Sequence, residues 1–463
     1  MNDNLKNIAP VNSWKNVYFL GIGGIGMSAL ARFLKAGGIN VSGYDRTATK
    51  LTRELQSEGI PVHFEEKPEE IPSNLDLAVV TPAIPKDNRE LLALRENRVP
   101  VIKRSELLGH ITRDNRLIAV AGTHGKTSVS CLLGHIMNQH PDQSNAILGG
   151  ISKNISSNLI LAPQTDLFIT EADEFDRSFL QLNPWIAVIT STDADHLDIY
   201  ESHENLKEAF AEFTSRIRTG GKLLVKEGVK LKSYAGETVA RYTYSINDPA
   251  DFQAVNVRLR EQLYHFDLIT PFGEITGLHS GISGKMNLEN AVAASAAAIL
   301  AGVRKRSINT GLASFKGVSR RFDHRIVRSN FIYIDDYAHH PKEIEACIDS
   351  VRNLYPDRKI TGVFQPHLFS RTRDFVEDFA RSLELLDKII LLEIYPAREM
   401  PIEGVNSKML FEKIRHPDKT LCSKDNLIQT LLDNNPEILL TLGAGDIDRF
   451  VEPIEKAFGK AEI

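Results

Sequence analysis

The stretch Leu117–Met137 reads LIAVAGTHGKTSVSCLLGHIM and decides the fold of the segment around it. It predicts a buried strand, a glycine turn that carries Gly125, Lys126 and Thr127, and a helix directly after the turn. Such a turn directs backbone N–H groups toward an anion, while the lysine adds a positive charge and the threonine hydroxyl can bind Mg²⁺. We interpret it as a nucleoside triphosphate site; the alternative is an ordinary glycine turn.

The turn is a shortened form of the P-loop. The standard loop has four residues between its first glycine and its Gly-Lys pair. Here only Thr123 and His124 stand between Gly122 and Gly125. We expect ATP to be bound by seven consecutive residues, namely Gly122, Thr123, His124, Gly125, Lys126, Thr127 and Ser128.

Length and composition restrict the class of protein. A chain of 463 residues with 42% hydrophobic residues predicts about three domains, each with its own core. No signal peptide or spanning apolar run is visible, which predicts a cytoplasmic protein without membrane insertion. Three widely spaced cysteines indicate neither a disulfide framework nor a zinc site. The net charge of -5 argues against nucleic acid as a partner, and a homodimer stays open.

A second glycine signature lies upstream, after the predicted strand 16–20. Gly21, Gly23 and Gly26 form a GxGxxG turn, and a second predicted strand ends at Asp45. This is the arrangement of a dinucleotide site, with the acid on a ribose hydroxyl. The motif is weak evidence alone and would suggest NAD. Because the glycines recognise a pyrophosphate at a helix N-terminus, a UDP-sugar fits equally well.

Two predicted strands of the central region end in acidic residues. The first is followed by EADEFD at 171–176, and the second by DADHLD at 193–198. Ligands of open α/β sheets bind beyond the carboxyl ends of the strands. Carboxylates are hard ligands for Mg²⁺, and a histidine can complete a second metal site. The alternative is a pair of solvated acidic loops.

Polar residues also mark the last third of the chain. Asn287 and Asn290 are i, i+3 neighbours at the start of an alanine-rich helix. The alternative to a binding role is that one of them, Asn287 rather than Asn290, merely caps this helix. A basic pair that includes Arg321 stands in the predicted linker 315–324, on a solvated surface or in reach of a triphosphate. Farther on, strands alternate with helices, and one of these helices is predicted over 373–386.

Two strands of this last region end in polar loops. One loop reads DYAHH at 336–340, and the other reads QPHLFSR at 365–371. Because the ends of parallel strands meet at one edge of a sheet, the two loops together predict a ligand edge.

Taken together, these residues resemble the Mur ligase family. The resemblance covers nearly the whole chain, in the order GIGGIGMSALARFL, AGTHGKTS, EADEFDRSFL, DADHLDIY, MNLENA, RRFD, DDYAHHP, QPHLFSRTRDF, YPARE and LGAGDID. It implies an α/β protein of three domains: an N-terminal Rossmann-like domain for a UDP-sugar (1–114), a central P-loop-type ATPase domain (115–319) and a C-terminal Rossmann-like ligase domain (320–463). Two positions depart from many relatives, which have arginine at Leu368 and histidine at Met286.

The resemblance also implies an activity. L-Alanine is joined to the lactyl carboxylate of UDP-N-acetylmuramate through an acyl phosphate, with release of ADP and phosphate. Lys126 is expected on the β and γ phosphates, Asn290 on the adenine side, and Asn287, Arg321 and Asp336 at the nucleotide. The Mg²⁺ ligands are expected to be Thr127 and Glu171 at one ion and His196 at a second.

For the other substrates the resemblance implies two further sets. The UDP-sugar is expected at Gly21, Gly23, Gly26, Asp45, Arg104 and His124. The alanine carboxylate is expected at Tyr337, His367 and Arg371. The residues expected to take part in the chemistry are Lys126, Glu171, His196, Arg321, His367 and Arg371.

Three other functions fit part of the sequence. A related ligase adds a whole murein peptide to the same UDP-sugar, but the GIGGIGMS turn is more typical of the alanine-adding type. An NAD-dependent oxidoreductase explains the first glycine motif and leaves the P-loop lysine and the acidic clusters unexplained. A non-catalytic ATP-dependent switch or scaffold is the third.

Overall fold

The computed structural model describes residues 10–195, 197–397 and 399–459. Its three sheets alternate with helices along the chain, which confirms the predicted α/β fold with three sheet-containing domains. The chain divides into two compact units. The first unit comprises the described residues up to 256 together with 266–278 and 290–315, and the second comprises 257–265, 279–289 and the residues from 316 onward.

The first sheet has five parallel strands in the order β3-β2-β1-β4-β5. This is the strand order of a Rossmann-like domain, in which ligands bind where the order reverses beside the first strand. The strands are β1 (Asn16–Leu20), β2 (Asn40–Tyr44), β3 (Val62–His63), β4 (Leu77–Val80) and β5 (Val101–Lys103).

The second sheet has ten strands. They are β6 (Arg116–Ala121), β7 (Asn145–Ser152), β8 (Ser157–Ile160), β9 (Leu167–Ala172), β10 (Ile186–Ile189), β11 (Lys222–Lys226), β12 (Ala240–Ser245), β13 (Phe252–Arg260), β14 (Leu263–Ile269) and β15 (Ile275–His279). The order is β15-β14-β13-β12-β11-β10-β6-β9-β7-β8, and β6 runs parallel to both of its neighbours, β9 and β10.

The third sheet has six strands in the order β16-β17-β21-β18-β19-β20. They are β16 (Asp323–Val327), β17 (Ile332–Asp336), β18 (Ile360–Phe364), β19 (Lys388–Leu391), β20 (Lys419–Leu421) and β21 (Ile438–Leu442). All of the pairs are parallel except β16 with β17. β17, β18 and β21 are buried along their whole length, as expected for strands covered on both faces.

Helices connect the strands in all three parts. They are α1 (Ile25–Ala36), α2 (Lys50–Ser57), α3 (Arg89–Glu96), α4 (Arg104–Thr112), α5 (Lys126–Met137), α6 (Leu197–Tyr200), α7 (His203–Ser215), α8 (Lys285–Leu300), α9 (Lys305–Ser314), α10 (Pro341–Leu354), α11 (Phe369–Asp374), α12 (Val376–Leu383), α13 (Ser407–Lys413), α14 (Leu427–Asn434) and α15 (Val451–Phe458). Within the described part of the chain, no helix has the length and apolar character needed to span a bilayer.

Two predicted elements of the second unit are wrong. The helix expected over 373–386 is two helices, α11 and α12, because Phe375 between them has φ -116 and ψ 22 and interrupts the helical path. The linker expected over 315–324 ends earlier, because Asp323 and His324 already belong to β16, which pairs antiparallel with β17.

Candidate active site

The P-loop joins β6 to α5 in the interior of the second sheet. Gly122 has φ +132 and Gly125 has φ +81, which are backbone conformations that favour glycine. A Cβ on Gly122 would also lie 2.1 Å from Oγ1 of Thr190. The glycines therefore allow the chain to leave the strand sharply and to begin α5 at Lys126 with its N–H groups directed at the loop.

Polar side chains of the neighbouring strand end hold this loop. Ser191 Oγ accepts the N–H of His124 at 2.9 Å and lies 2.9 Å from Thr123 Oγ1, which in turn accepts the N–H of Asp193 at 3.1 Å. The loop is thus tied to the end of β10 by side-chain hydrogen bonds, which fixes its shape before any ligand binds. His124 Nε2 also lies 3.5 Å from Asp193 Oδ2.

Lys126 makes three hydrogen bonds to the described residues. Its Nζ donates to Gly122 O at 2.7 Å and to both carboxylate oxygens of Glu174 at 2.9 Å each. Burial lowers the pKa of Lys126, but the charges of Glu174, Asp173 and Glu171 outweigh it and hold that pKa above its ordinary value. Lys126 is therefore a fully charged, internally paired cation at the expected phosphate position.

Glu171 presents an oxygen that is suited to a cation. It lies on β9 beside Val120 of β6, so β9 carries it to the same edge as the P-loop. Its Oε1 is buried, and among the described residues this oxygen has no hydrogen-bond partner. A Cβ on Gly149 would lie 2.3 Å from the carboxylate, so a glycine is needed there for Glu171 to occupy this position. A buried carboxylate oxygen without a partner fits a Mg²⁺ ligand.

The other expected metal ligands are placed as follows. Thr127 is buried in the first turn of α5, next to Lys126. His196 lies outside the described residues. Within the described part of the chain, no three His, Cys, Asp or Glu side chains form a metal-binding cluster. Mg²⁺ usually combines one or two carboxylates with waters and substrate phosphates, so a site with few protein ligands suits Mg²⁺ better than zinc.

The glycine turn of the first sheet also contains an internal carboxylate. Asp45, directly after β2, accepts the N–H of Gly23 at 2.8 Å through Oδ2 and that of Thr47 at 3.0 Å through Oδ1. Gly21 lies in the same turn, and Gly26 is the second residue of α1, which follows it. The acid that a dinucleotide site directs at a ribose is here bonded to the glycine turn itself.

A cavity of about 260 Å³ lies within the first unit, between the glycine turn of the first sheet and Glu171 of β9. Its lining includes Gly26 and Arg104 from the first domain and Gly149, Glu171 and Asp173 from the second sheet. The Arg104 guanidinium approaches Asp173 at 3.5 Å, and a Cβ on Gly26 would lie 2.9 Å from Arg104 Nη1. Three of the expected residues, Gly26, Arg104 and Glu171, thus line one space that has a cation and carboxylates on its wall.

The two asparagines at the start of α8 differ in their contacts. Asn290 lies against the P-loop, because a Cβ on Gly125 would be 2.9 Å from Asn290 Oδ1. Asn287 belongs to the second unit, is buried, and donates its Nδ2 to Ser283 O at 2.8 Å. Asn287 is the third residue of α8 and donates to the carbonyl four residues earlier, which is not the accepting contact of an N-cap, whereas Asn290 lies against the phosphate-binding turn.

In the second unit, Asp336 ends β17 and is surrounded by donors. Its oxygens accept the N–H groups of Phe322 at 2.6 Å and Ala338 at 2.7 Å. Burial raises the pKa of Asp336 to about 6, although Arg321 and these hydrogen bonds oppose the shift. The Arg321 guanidinium lies 4.8 Å from the centroid of the Tyr337 ring, which is cation–π distance.

A row of rings continues this edge of the third sheet. The centroids of Tyr337 and His339 are 5.3 Å apart, those of His339 and His367 are 5.9 Å apart, and those of His367 and Tyr395 are 5.8 Å apart. Glu343, in the first turn of α10, accepts the N–H of His339 at 3.0 Å and fixes the loop. Two of the expected residues, Tyr337 and His367, therefore lie in one row with two rings that were not expected at the site, His339 and Tyr395.

Arg371 is nearly buried in α11, and this helix begins after an unusual residue. Leu368 has φ +69, which is rare for a branched residue, and it is held by a hydrogen bond from its N–H to Tyr395 O at 3.0 Å. Leu368 is thus buried and shapes the turn that presents His367 and Arg371.

Sequence reasoning missed several residues of these surfaces. Glu174 belongs to the acidic motif 171–176, whose pattern predicts no role for it, although it pairs with Lys126. Gly149 and Thr81 line the cavity, and Tyr395 ends the row of rings. The one sequence signal for Glu174 is that it follows an apolar strand, β9. No local pattern links it to a lysine in another segment.

Three family models match the chain. The model described as Mur ligase family, catalytic domain, matches residues 16–116; the Mur ligase middle domain matches 120–298; and the Mur ligase, glutamate ligase domain matches 320–445.

Individual proteins are similar over nearly the full length. UDP-N-acetylmuramate–L-alanine ligase of Porphyromonas gingivalis is 49% identical over 96% of this chain and 98% of its own length. The crystal structure of UDP-N-acetylmuramate-alanine ligase from Thermotoga maritima matches with a TM-score of 0.82 at 25% identity, over 96% of this chain and 99% of that one. A murein peptide ligase from Psychrobacter arcticus shares the fold, with a TM-score of 0.71 at 20% identity over 97% and 100% of the two chains.

Proposed function

The chain belongs to the Mur ligase family, and from this premise we propose that it joins L-alanine to UDP-N-acetylmuramate with cleavage of ATP to ADP and phosphate. The observation that carries the proposal is the 49% identity to a relative of that name over 96% of the chain. The site supports it, because a P-loop lysine and a buried carboxylate oxygen lie in the same unit as a cavity with a cationic wall.

The chemistry has two steps. A carboxylate is a poor electrophile, so an oxygen of the lactyl carboxylate first attacks the γ-phosphorus of ATP and displaces ADP, forming an acyl phosphate. Catalysis of this step depends on positioning and on charge neutralisation, which are the roles we propose for Lys126 and the N–H groups of the P-loop. The neutral amine of alanine then attacks the acyl carbon, and the tetrahedral intermediate expels phosphate.

We propose that the metal is Mg²⁺. Thr127 and Glu171 would bind one ion, and His196 would bind a second. The unpartnered Oε1 of Glu171 supports this assignment. Bound there, Mg²⁺ would neutralise charge on the phosphates of ATP.

The remaining assignments follow the substrates. The glycine turn with Asp45, together with Arg104 and His124, binds the UDP-sugar, and the cavity wall of Arg104 supports its role near an anionic group. Asn290 binds the nucleotide at the P-loop, and Asn287, Arg321 and Asp336 contribute from the second unit. Tyr337, His367 and Arg371 bind alanine, since a guanidinium suits a carboxylate. Because ATP and the UDP-sugar are cytoplasmic metabolites, we place the reaction in the cytoplasm.

Release of ADP tests the proposal. It should require UDP-N-acetylmuramate and L-alanine together, with little release when either is omitted, and NAD should have no effect. ADP release without an acceptor amine would favour an ATP-dependent switch. NAD-dependent oxidation of a substrate would favour the oxidoreductase.

The same assay separates the two related ligases. Glycine and L-serine should react poorly, because one methylene or hydroxyl is discriminated by only ~1 to 3 kcal/mol. The tripeptide L-Ala-D-Glu-diaminopimelate should give near-background rates, because its free carboxylates lie too far from its amine to bind where that of alanine does. A preference for the tripeptide would reassign the acceptor and leave the family unchanged.

A further inference from the structure

Glu174 has no role in the proposed chemistry, yet it is the residue that binds the P-loop lysine. Its side chain is fully buried, and both of its oxygens accept hydrogen bonds from Lys126 Nζ at 2.9 Å. Glu171, three residues earlier, is different because its Oε1 has no partner among the described residues. Two glutamates of one motif are therefore in opposite states, one open to a cation and one already paired.

The pairing uses up the donors of Lys126. A lysine ammonium has three N–H groups. One is taken by Gly122 O, and two are taken by the Glu174 carboxylate. A phosphate can be bound by this ammonium only if one of these contacts is given up.

The contact that a phosphate would replace is the one between Lys126 and Glu174. Gly122 directly follows β6, and the backbone on both sides of it is held by Thr190, whose N–H donates to Ala121 O at 3.0 Å and whose hydroxyl donates to His124 O, so the Gly122 carbonyl is fixed in place. The carboxylate, by contrast, would lie within about 6 Å of any phosphate oxygen bound by the same ammonium, because each hydrogen bond spans about 3 Å. Two anions at that distance repel each other in a partly buried site.

The loop that carries Glu174 is tied at its flanks. Asp176 pairs with Lys103 at 2.7 Å, and Tyr200 Oη donates to Glu174 O at 2.6 Å. Asp176 and Arg177 both adopt positive φ, 53° and 52°, which is an uncommon conformation for consecutive non-glycine residues. The backbone of the loop is thus fixed from both sides while its buried side chain reaches the P-loop.

We propose that Glu174 is a positioning residue that competes with nucleotide phosphate for Lys126. In the nucleotide-free protein it holds the lysine charged and in place, and bound ADP or ATP must displace it. This inference rests on the proposed function of the P-loop. Its consequence is that the protein binds nucleotide more weakly than the loop alone would allow, since only the fraction of molecules with a released lysine is competent.

Calorimetric titration with ADP and Mg²⁺ tests the competition. Glu174→Gln keeps the shape of the side chain and removes its charge, so ADP should bind about tenfold more tightly than to the wild type. Asp176→Asn removes the same charge from the same loop but from an exposed pair, and its affinity should stay within about twofold of the wild type. A purely structural role predicts the reverse, namely weaker binding by Glu174→Gln.

The outcomes are distinguishable. Equal or weaker ADP binding by a folded Glu174→Gln variant overturns the inference and leaves the nucleotide site intact. Absence of ADP binding by the wild type overturns the proposed nucleotide site and the inference with it. If circular dichroism shows that Glu174→Gln is unfolded, Glu174→Asp decides, because the shorter side chain keeps the charge but weakens the contact. It should bind ADP about threefold more tightly than the wild type, and equal or weaker binding would count against the competition.

Discussion

The first unit contains two glycine turns with the same local design and different chemistry. Each follows a buried parallel strand and opens a helix of 12 residues, α1 or α5. Each also has an internal carboxylate on its donors, since Asp45 bonds to Gly23 N–H and Glu174 bonds to Lys126. In both cases an acid of the same chain thus bonds to donors of the anion-binding turn.

The difference lies in the donors. The first turn offers backbone N–H groups, which bind a diphosphate equally in the ground state and the transition state. The second turn adds the ammonium of Lys126, and beside it stands Glu171, whose Oε1 has no hydrogen-bond partner among the described residues. Only the second turn has the groups that can neutralise charge as a phosphoryl group is transferred. Damage to the second should therefore reduce turnover, and damage to the first should reduce affinity.

Lys126→Ala is expected to give the largest effect. Removal of a cation at a transferring phosphoryl group should reduce turnover by about 10³ or more. The affinity for UDP-N-acetylmuramate, measured by calorimetry, should barely change. Near wild-type turnover in this variant would show that the second turn is not the ATP site. The proposed difference, in which the second turn acts on turnover and the first on affinity, would then be wrong.

Glu171→Ala should have the next largest effect. Loss of a metal ligand should raise the Mg²⁺ concentration needed for half-maximal activity about tenfold or more. Asp166→Asn is the matched control, because Asp166 directly precedes the same strand and pairs with Arg116 on the surface. If both variants need the same Mg²⁺ concentration as the wild type, Glu171 is not a metal ligand. The thermal stability of Glu171→Ala should be nearly unchanged.

The sequence predicted the two turns well because their signals are local. Strand, glycines, lysine and helix follow one another within the stretch 117–137, and β6 and α5 have the expected places. The acidic strand ends also meet the P-loop edge, because β9 and β10 flank β6. Alternation of strands and helices is sufficient to predict such an edge in an open α/β sheet.

The partners of these residues could not be predicted in the same way. Lys126 and Glu174 are 48 positions apart, and their pairing depends on how β9 is placed beside β6. The interruption at Phe375 likewise depends on tertiary packing, since its surroundings otherwise favour one continuous helix. Gly149 is required because of a carboxylate on a neighbouring strand, which no local pattern reveals.

A pH profile tests whether the second unit contributes beside the two turns. Burial raises the pKa of Asp336 to about 6. If the carboxylate form acts at the nucleotide, activity should be full above this pKa and should decline as the pH falls through it, by about tenfold at pH 5. The measurement is kcat/KM for ATP between pH 5 and 8. A profile without this decline would mean that Asp336 does not act at the nucleotide. In Asp336→Asn, kcat/KM for ATP should be lower above pH 6 and should no longer decline as the pH falls through 6.

Gly23→Ala should give the smallest effect and the most specific one. The added Cβ would lie 2.7 Å from Thr52 Cγ2 and 2.8 Å from Asp45 Oδ2, so it would displace the carboxylate that orders the first turn. Since this turn binds the UDP-sugar equally in the ground state and the transition state, KM for UDP-N-acetylmuramate should rise about fivefold while kcat stays unchanged. Gly24→Ala is the control in the same turn, because its nearest neighbouring atom is 3.6 Å away and it should change KM less. A fall in kcat at constant KM would mean that the first turn also acts in the transition state, and the division of labour between the two turns would then be wrong.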